Sequence, residues 1–161
     1  LSQLAKARLL ALLAPAVLLG GALASQYVGG LYPCEMCYWQ RWPHEAAIAL
    51  ALLAYGLSGQ PRWSRALVLL AALAIAISGA IGVFHAGVEY GWWEGVTTCS
   101  RGPSAASSED LLKAIMNAPL IRCDQPQWTL GGVSLAGFNA IFSFGAAIAI
   151  WALLAGKRRA R

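Results

Sequence analysis

The chain has 161 residues, 58% of them hydrophobic and only 12% charged, with a mean hydropathy of +0.58 and a formal net charge of +5. A soluble domain is about half apolar and about one-quarter charged. The composition therefore argues against a soluble globular protein and excludes disordered, collagen-like and coiled-coil chains, leaving a small integral membrane protein with several spans.

A helix needs about 20 mostly apolar residues to cross a bilayer. Four stretches meet or approach this: 9–28, 42–57, 66–86 and 133–155. Backbone polar groups inside a bilayer must pair within their own segment, so each stretch is predicted to be a helix. The first can also be read as a cleaved signal peptide, from Lys6, Arg8 and the Ala22-Leu23-Ala24 triplet, although its apolar run exceeds the usual signal core. The second is short unless it begins near Cys37. Pro43 either opens it, leaving 37–42 as a separate turn, or lies inside a continuous helix. Gly79 and Gly82 in the third, and Gly137 and Gly145 in or near the fourth, would let helices approach closely. The whole chain, 1–161, is read as one membrane domain with outer loops at about 29–41 and 87–132. It begins at Leu1 and not at methionine, consistent with a trimmed or renumbered start.

Charge predicts the orientation. Lys6, Arg8, Arg62, Arg65, Lys157, Arg158, Arg159 and Arg161 fall on one side of the four spans. Arg41, Arg101, Lys113, Arg122 and every acidic residue fall on the other. The positive-inside rule puts both termini in the cytoplasm. The basic balance then reflects topology and anionic lipid, and gives no argument for nucleic acid. All four cysteines lie on the outer, oxidising side, where disulfides persist.

The second outer loop is long for a compact domain, which suggests function. Tyr90, Trp92, Trp93 and Trp128 at its ends form an aromatic belt. Ser107 or Ser108 can cap a short helix with Glu109 and Asp110 in its first turn. Leu111, Leu112, Ile115 and Met116 share its apolar face, which would lie on the membrane surface or pack on the bundle. The stretch 100–104, Ser-Arg-Gly-Pro-Ser, reads as a flexible turn before it.

Cys34-Glu35-Met36-Cys37 is a C-x-x-C. Three readings compete: a redox dithiol, a zinc site completed by Cys99 and Cys123, and inert structural disulfides. A c-type haem needs histidine after the second cysteine, and Tyr38 stands there. If Cys37 begins a helical turn, Arg41 follows at i+4 and favours the thiolate. Its bland role is snorkelling to headgroups. Glu45 could pair with Arg41, and His44 lies on a nearby face. His85, at a similar outer depth, either caps carbonyls or hydrogen-bonds a ligand.

The order of these features resembles the DsbB family of quinone-linked, disulfide-generating proteins of the bacterial inner membrane. The resemblance covers nearly the whole chain: four spans, Cys34-Glu35-Met36-Cys37-Tyr38-Trp39-Gln40-Arg41 before the second, and Cys123-Asp124-Gln125-Pro126-Gln127-Trp128 before the last. It implies an all-α four-transmembrane-helix bundle with its active site facing the periplasm. It also implies catalytic cysteines at Cys34, Cys37, Cys99 and Cys123, and quinone contacts from Arg41 and His85. The implied cofactor is ubiquinone or menaquinone, and the implied partner is a DsbA-like periplasmic thioredoxin-fold protein. That partner would attack Cys99 of a Cys99–Cys123 disulfide; Cys123 would exchange with Cys34, and Cys37 would meet the quinone. Pro43 departs from the best-known member, and His85 is offset from that family's outer histidine. Two other classes are weighed. A vitamin K epoxide reductase-like enzyme also joins a C-x-x-C to a quinone, but its loop cysteines precede the C-x-x-C. A non-enzymatic tetraspan protein would hold two inert disulfides.

Overall fold

The computed structural model describes residues 1–100, 107–116 and 121–156. The basic tail at 157–161 and the turn residues 101–104 lie outside the described residues. Five α-helices are present among them: α1 (Gln3–Tyr27), α2 (Glu35–Gly56), α3 (Pro61–Glu89), the short α4 (Ser108–Met116) and α5 (Leu135–Ala155). The long helices pack in a ring, α2 on α1 and α3, and α5 on α3 and α1. Neighbours run antiparallel: Arg41 near the start of α2 bonds Gln26 near the end of α1, and Arg65 near the start of α3 bonds the Leu154 carbonyl near the end of α5.

The helix starts follow from their first residues. Ser2 and Ser134 cap α1 and α5 by accepting the amides of Ala5 and Gly137, satisfying donors that no helical carbonyl can reach. Pro61 opens α3, where its missing N–H costs nothing. Cys34 caps α2 with its sulfur, so this helix begins at Glu35, well before the apolar stretch at 42. Pro43 lies inside the continuous helix.

Among the described residues three helices, α1, α3 and α5, are long and apolar enough to cross a membrane. The first half of α2 carries Glu35, Gln40, Arg41, His44 and Glu45, which lowers its hydropathy below theirs. At one end of the bundle the core is small and apolar: Ala7, Ala11, Ala47, Ala51, Ala54 and Ala71 surround Val68, Ile75 and Ile150. Lipid offers little hydrophobic drive for helix association, so close van der Waals contact between small residues takes its place. At the other end, Cys34, Met36, Val88, Cys99 and Cys123 form a second buried cluster.

Gly82 is a true contact glycine. A methyl group there would meet the Ala136 carbonyl at 2.9 Å and the Ala140 amide nitrogen at 3.1 Å. At Gly79 the neighbours are Ser143 and Phe144, at 3.1 and 3.2 Å. The expectation fails for the other pair. Gly145 faces open space, and Gly137 approaches only Val133 and Ser134, just before its own helix.

The fourth apolar stretch begins with a hairpin, not a helix. Strand β1 (Thr129–Leu130) pairs antiparallel with β2 (Val133–Ser134). Gly131 and Gly132 turn it with φ of 59° and 81°, left-handed values that suit a two-residue turn and favour glycine. Tyr90 anchors it to the end of α3, donating to the Gly132 carbonyl and accepting the Ser134 amide, both at 2.8 Å. In α4 the Ser107 hydroxyl accepts the Asp110 amide at 3.2 Å. Leu111, Leu112, Ile115 and Met116 are all exposed, so its apolar face does not pack on the bundle.

Gly82→Val should destabilise the protein by about 1–3 kcal/mol through overpacking. Gly145→Ala should gain roughly 0.5–1 kcal/mol from helix propensity alone. Thermal unfolding in detergent would compare the two.

Candidate functional site

Cys34 and Cys37 close the first turn of α2. Their sulfurs lie 3.0 Å apart, and the Cys34 sulfur accepts the Cys37 amide at 3.3 Å. Both sit ahead of residue 42, where the apolar part of α2 begins. Two thiols this close ionise as a pair. The hydrogen bond from Cys34 lowers the Cys37 thiol below its ordinary value, opposed by burial and aided by a smaller pull from Arg41. The same bond, with burial, pushes Cys34 up.

A chain of buried polar groups stands behind the pair, and backbone carbonyls set its direction. Gln40 Nε2 donates to the Met36 carbonyl at 3.1 Å. A carbonyl only accepts, so this end of the amide is the NH2. Its second hydrogen goes to His85 Nδ1 at 2.9 Å. Asn139 is oriented in the same way, since its Nδ2 donates to the Ser78 carbonyl at 3.1 Å and to Gln40 Oε1 at 2.9 Å. Asn139 Oδ1 then accepts from His44 Nε2 at 2.9 Å and from Ser143 at 3.0 Å. Neutral His85, with Nδ1 accepting, carries its proton on Nε2. That nitrogen lies 3.5 Å from the Cys34 sulfur and 3.6 Å from Glu89 Oε1. The chain runs His44, Asn139, Gln40, His85, Cys34, each donating to the next.

Arg41 is buried, and its guanidinium turns towards α1. It donates to Gln26 Oε1 at 2.6 Å and to the Ala22 carbonyl at 3.2 Å, and lies 5.3 Å from the Tyr38 ring centre. The expected pairing with Glu45 is absent among the described residues; Glu45 is exposed on another face. His85 does not cap helix-end carbonyls through its side chain. It is 2% exposed and engaged with Gln40 and Cys34.

Cys34, Cys37, Arg41, His44 and His85 all border one cavity of about 300 Å³, between α1, α2 and α5. Its apolar wall includes Leu18, Phe138 and Phe142. Val17 and Phe142 border it and are also exposed on the bundle surface, so the cavity opens sideways between α1 and α5. Arg122 lies at its rim and grips Asp124 through Nε at 2.8 Å and through Nη2. That bond holds the Asp124 carboxyl below the usual carboxylate range.

Cys99 and Cys123 form a disulfide across the second outer loop. They pack in the same cluster as Cys34. Cys123 is fully buried, whereas Cys99 keeps 8% exposure beside Thr97, whose hydroxyl lies 3.1 Å from its sulfur. The bond removes the zinc site of four thiolates. Cys34, Cys37 and His85 do offer ligand atoms within 4.8 Å of one another. However, His85 points an N–H at the sulfur, where a metal would need a lone pair.

Sequence reasoning placed Cys34, Cys37, Arg41 and His85 near one another, and the structure sets all four on the cavity. It missed Gln40, Ser78, Glu89 and Asn139. The signal was available: each is a polar group in or beside an apolar helix, where such groups are costly and usually functional.

A family model described as "Disulfide bond formation protein DsbB" matches residues 5–153. An uncharacterized protein of Rickettsia prowazekii (strain Madrid E), RP370, is 23% identical over 130 residues, spanning 79% of this chain and 74% of that protein. No solved structure matches the chain. With a C-x-x-C beside a loop disulfide and a family match over nearly its full length, the chain belongs to the DsbB family of disulfide-forming membrane oxidoreductases.

Proposed function

We propose that the protein reoxidises a DsbA-like periplasmic thioredoxin-fold protein and passes the two electrons to ubiquinone or menaquinone. One observation carries this reading: the Cys34/Cys37 pair lies between a disulfide and a cavity that opens through the apolar flank of the bundle. A lipid-soluble oxidant can enter from that flank, and a protein dithiol can reach the loop from outside. The protein sits in the bacterial inner membrane with α2 as a fourth span, both termini cytoplasmic and the cysteines periplasmic.

The partner's thiolate attacks Cys99, the less buried residue of the loop disulfide, and Cys123 leaves as thiolate. In the oxidised form of the Cys34/Cys37 pair, the Cys123 thiolate attacks Cys34, breaks the Cys34–Cys37 bond and frees Cys37. The partner's second thiol releases the oxidised partner from Cys99, and Cys99 then re-forms its bond to Cys123 and frees Cys34, leaving two electrons on Cys34 and Cys37. Arg41 favours the Cys37 thiolate and lies beside the ring site, with His85 behind Cys34. Re-forming the Cys34–Cys37 bond sends two electrons to the quinone, which takes up one proton from the Cys34 thiol and one from water, giving the quinol. The loop cysteines follow the C-x-x-C in the chain, which disfavours the vitamin K epoxide reductase-like alternative. A sulfur pair hydrogen-bonded to a histidine and open to a cavity is poorly explained as an inert staple.

The test uses the full chain in detergent with ubiquinone and a reduced thioredoxin-like periplasmic dithiol protein. One quinone should be reduced per dithiol oxidised, and Cys34→Ser, Cys37→Ser or Cys99→Ser should abolish it. Thiol loss without quinone reduction would overturn the quinone assignment. No reaction with any quinone or dithiol would favour the inert tetraspan protein.

Arg41→Met should lower the rate at limiting quinone by roughly tenfold, the loss expected for a charge-assisted contact. An unchanged rate there would remove Arg41 from the quinone site. In the reduced protein, Cys37 should alkylate at lower pH than an ordinary thiol of pKa about 8.5, because alkylation needs the thiolate. Cys34→Ala removes the hydrogen bond that lowers Cys37 and should move its alkylation profile to higher pH. An unshifted profile would assign the lowering to another group.

A further inference from the structure

His44 is 3% exposed and borders the cavity, yet the mechanism above gives it no work. Its Nε2 is committed: it donates to Asn139 Oδ1, and the Ser78 hydroxyl, 3.0 Å away, spends its own proton on the Gln40 carbonyl. Its Nδ1 is buried with no hydrogen-bond partner among the described residues. Because the Ser78 carbonyl orients Asn139, and Asn139 holds the proton on His44 Nε2, neutral His44 must keep a bare lone pair on Nδ1. Such a lone pair, out of water, calls for a donor.

Cys37, Arg41 and His44 are spaced i, i+4 and i+7, one stripe of α2 along the cavity wall. His44 lies about 10 Å along the axis from Cys37, and helical side chains lean back towards the N-terminus, so its imidazole reaches towards the sulfur end. Cys37 and His44 line the same cavity, so a ring that fills it adjoins both. A quinone oxygen is an acceptor and gains nothing from a lone pair. Once the ring has taken up two electrons from the Cys34/Cys37 pair and two protons, each carbonyl oxygen has become a hydroxyl, which donates.

Resting on the quinone reading above, we infer that His44 Nδ1 accepts a ring hydroxyl of the quinol, so that the cavity holds the reduced ring more tightly than the oxidised one. His44 is thereby a specificity-determining contact for the product, and Asn139 is the positioning residue that sets its tautomer.

Two measurements on the full chain in detergent test this. The first is binding of a short-tailed ubiquinone and of its quinol to wild type, His44→Phe and His44→Gln. Quinol affinity should fall roughly fivefold in His44→Phe with quinone affinity unchanged, the size of one net hydrogen bond. His44→Gln, which keeps an N–H for Asn139 and an oxygen acceptor, should restore it. Equal loss of both affinities, or no loss, overturns the inference while leaving the quinone site standing. Binding of neither ring by wild type overturns both readings. The second needs no variant at position 44. With only two histidines in the chain, 15N-histidine spectra report each imidazole nitrogen, and His85→Phe assigns them. The lone-pair resonance of His44 should come from Nδ1 and should move with quinol and not with quinone. A lone pair on Nε2, or equal movement with both ligands, overturns the inference.

Discussion

The Ser78 carbonyl and its hydroxyl, Gln40 and Asn139 meet where α2, α3 and α5 come together. In an apolar bundle, every polar atom at such a crossing must find its partner inside the protein. That constraint leaves little freedom. Two backbone carbonyls, Met36 and Ser78, can only accept, and each takes one amide hydrogen. The remaining hydrogens then have single destinations, and both histidines inherit their tautomers. Two peptide oxygens thus decide what His85 shows to a sulfur and which nitrogen of His44 keeps its lone pair.

The same crossing explains how a polar segment can sit in this bundle. α2 carries Cys37, Arg41 and His44 and is the least apolar of the long helices. Its stability cannot rest on lipid alone. It packs between α1 and α3; Arg41 is held by two acceptors on α1, and the Gln40 carbonyl by Ser78 on α3. At the far end its alanines join a close-packed apolar core. One half of the helix is fixed by contact with small residues and the other by hydrogen bonds, which keeps the sulfurs in register with the cavity.

Much of this was legible from residue order. Long apolar stretches located α1, α3 and α5, because length and composition suffice to identify such helices. The spacing of Cys34, Cys37 and Arg41 placed them on one helical face once the helix was known to start before residue 42. What hid that start was Cys34 itself, a residue seldom read as a cap, whose sulfur takes the Cys37 amide. In the sequence Gly131-Gly132 reads as the end of the outer loop, and Val133 and Ser134, the second strand of its hairpin, as the start of the last span. The partners of Arg41 were not legible, since Gln26 and the Ala22 carbonyl reach it only through the packing of α1. The Gln40–Asn139 bond joins residues 99 positions apart, and no local pattern announces it.

The unequal burial of the loop disulfide bears on why electrons would travel one way. Cys123 is fully buried and Cys99 keeps 8% exposure, so on the proposed path Cys99 is the residue an incoming protein thiolate would reach first. The leaving thiolate is then Cys123, the buried member, and it is released into the cluster that contains Cys34. A thiolate freed in an apolar pocket is poorly solvated and reacts with the nearest electrophilic sulfur more readily than it waits. The His85 N–H at 3.5 Å is positioned to ease negative charge on Cys34 when that sulfur in turn becomes the leaving group. On the proposed path, burial would select the first attack, poor solvation would drive the second, and a histidine locked as a donor would assist the return step. Direction is built from the environment of each sulfur, without requiring the four thiols to differ in kind.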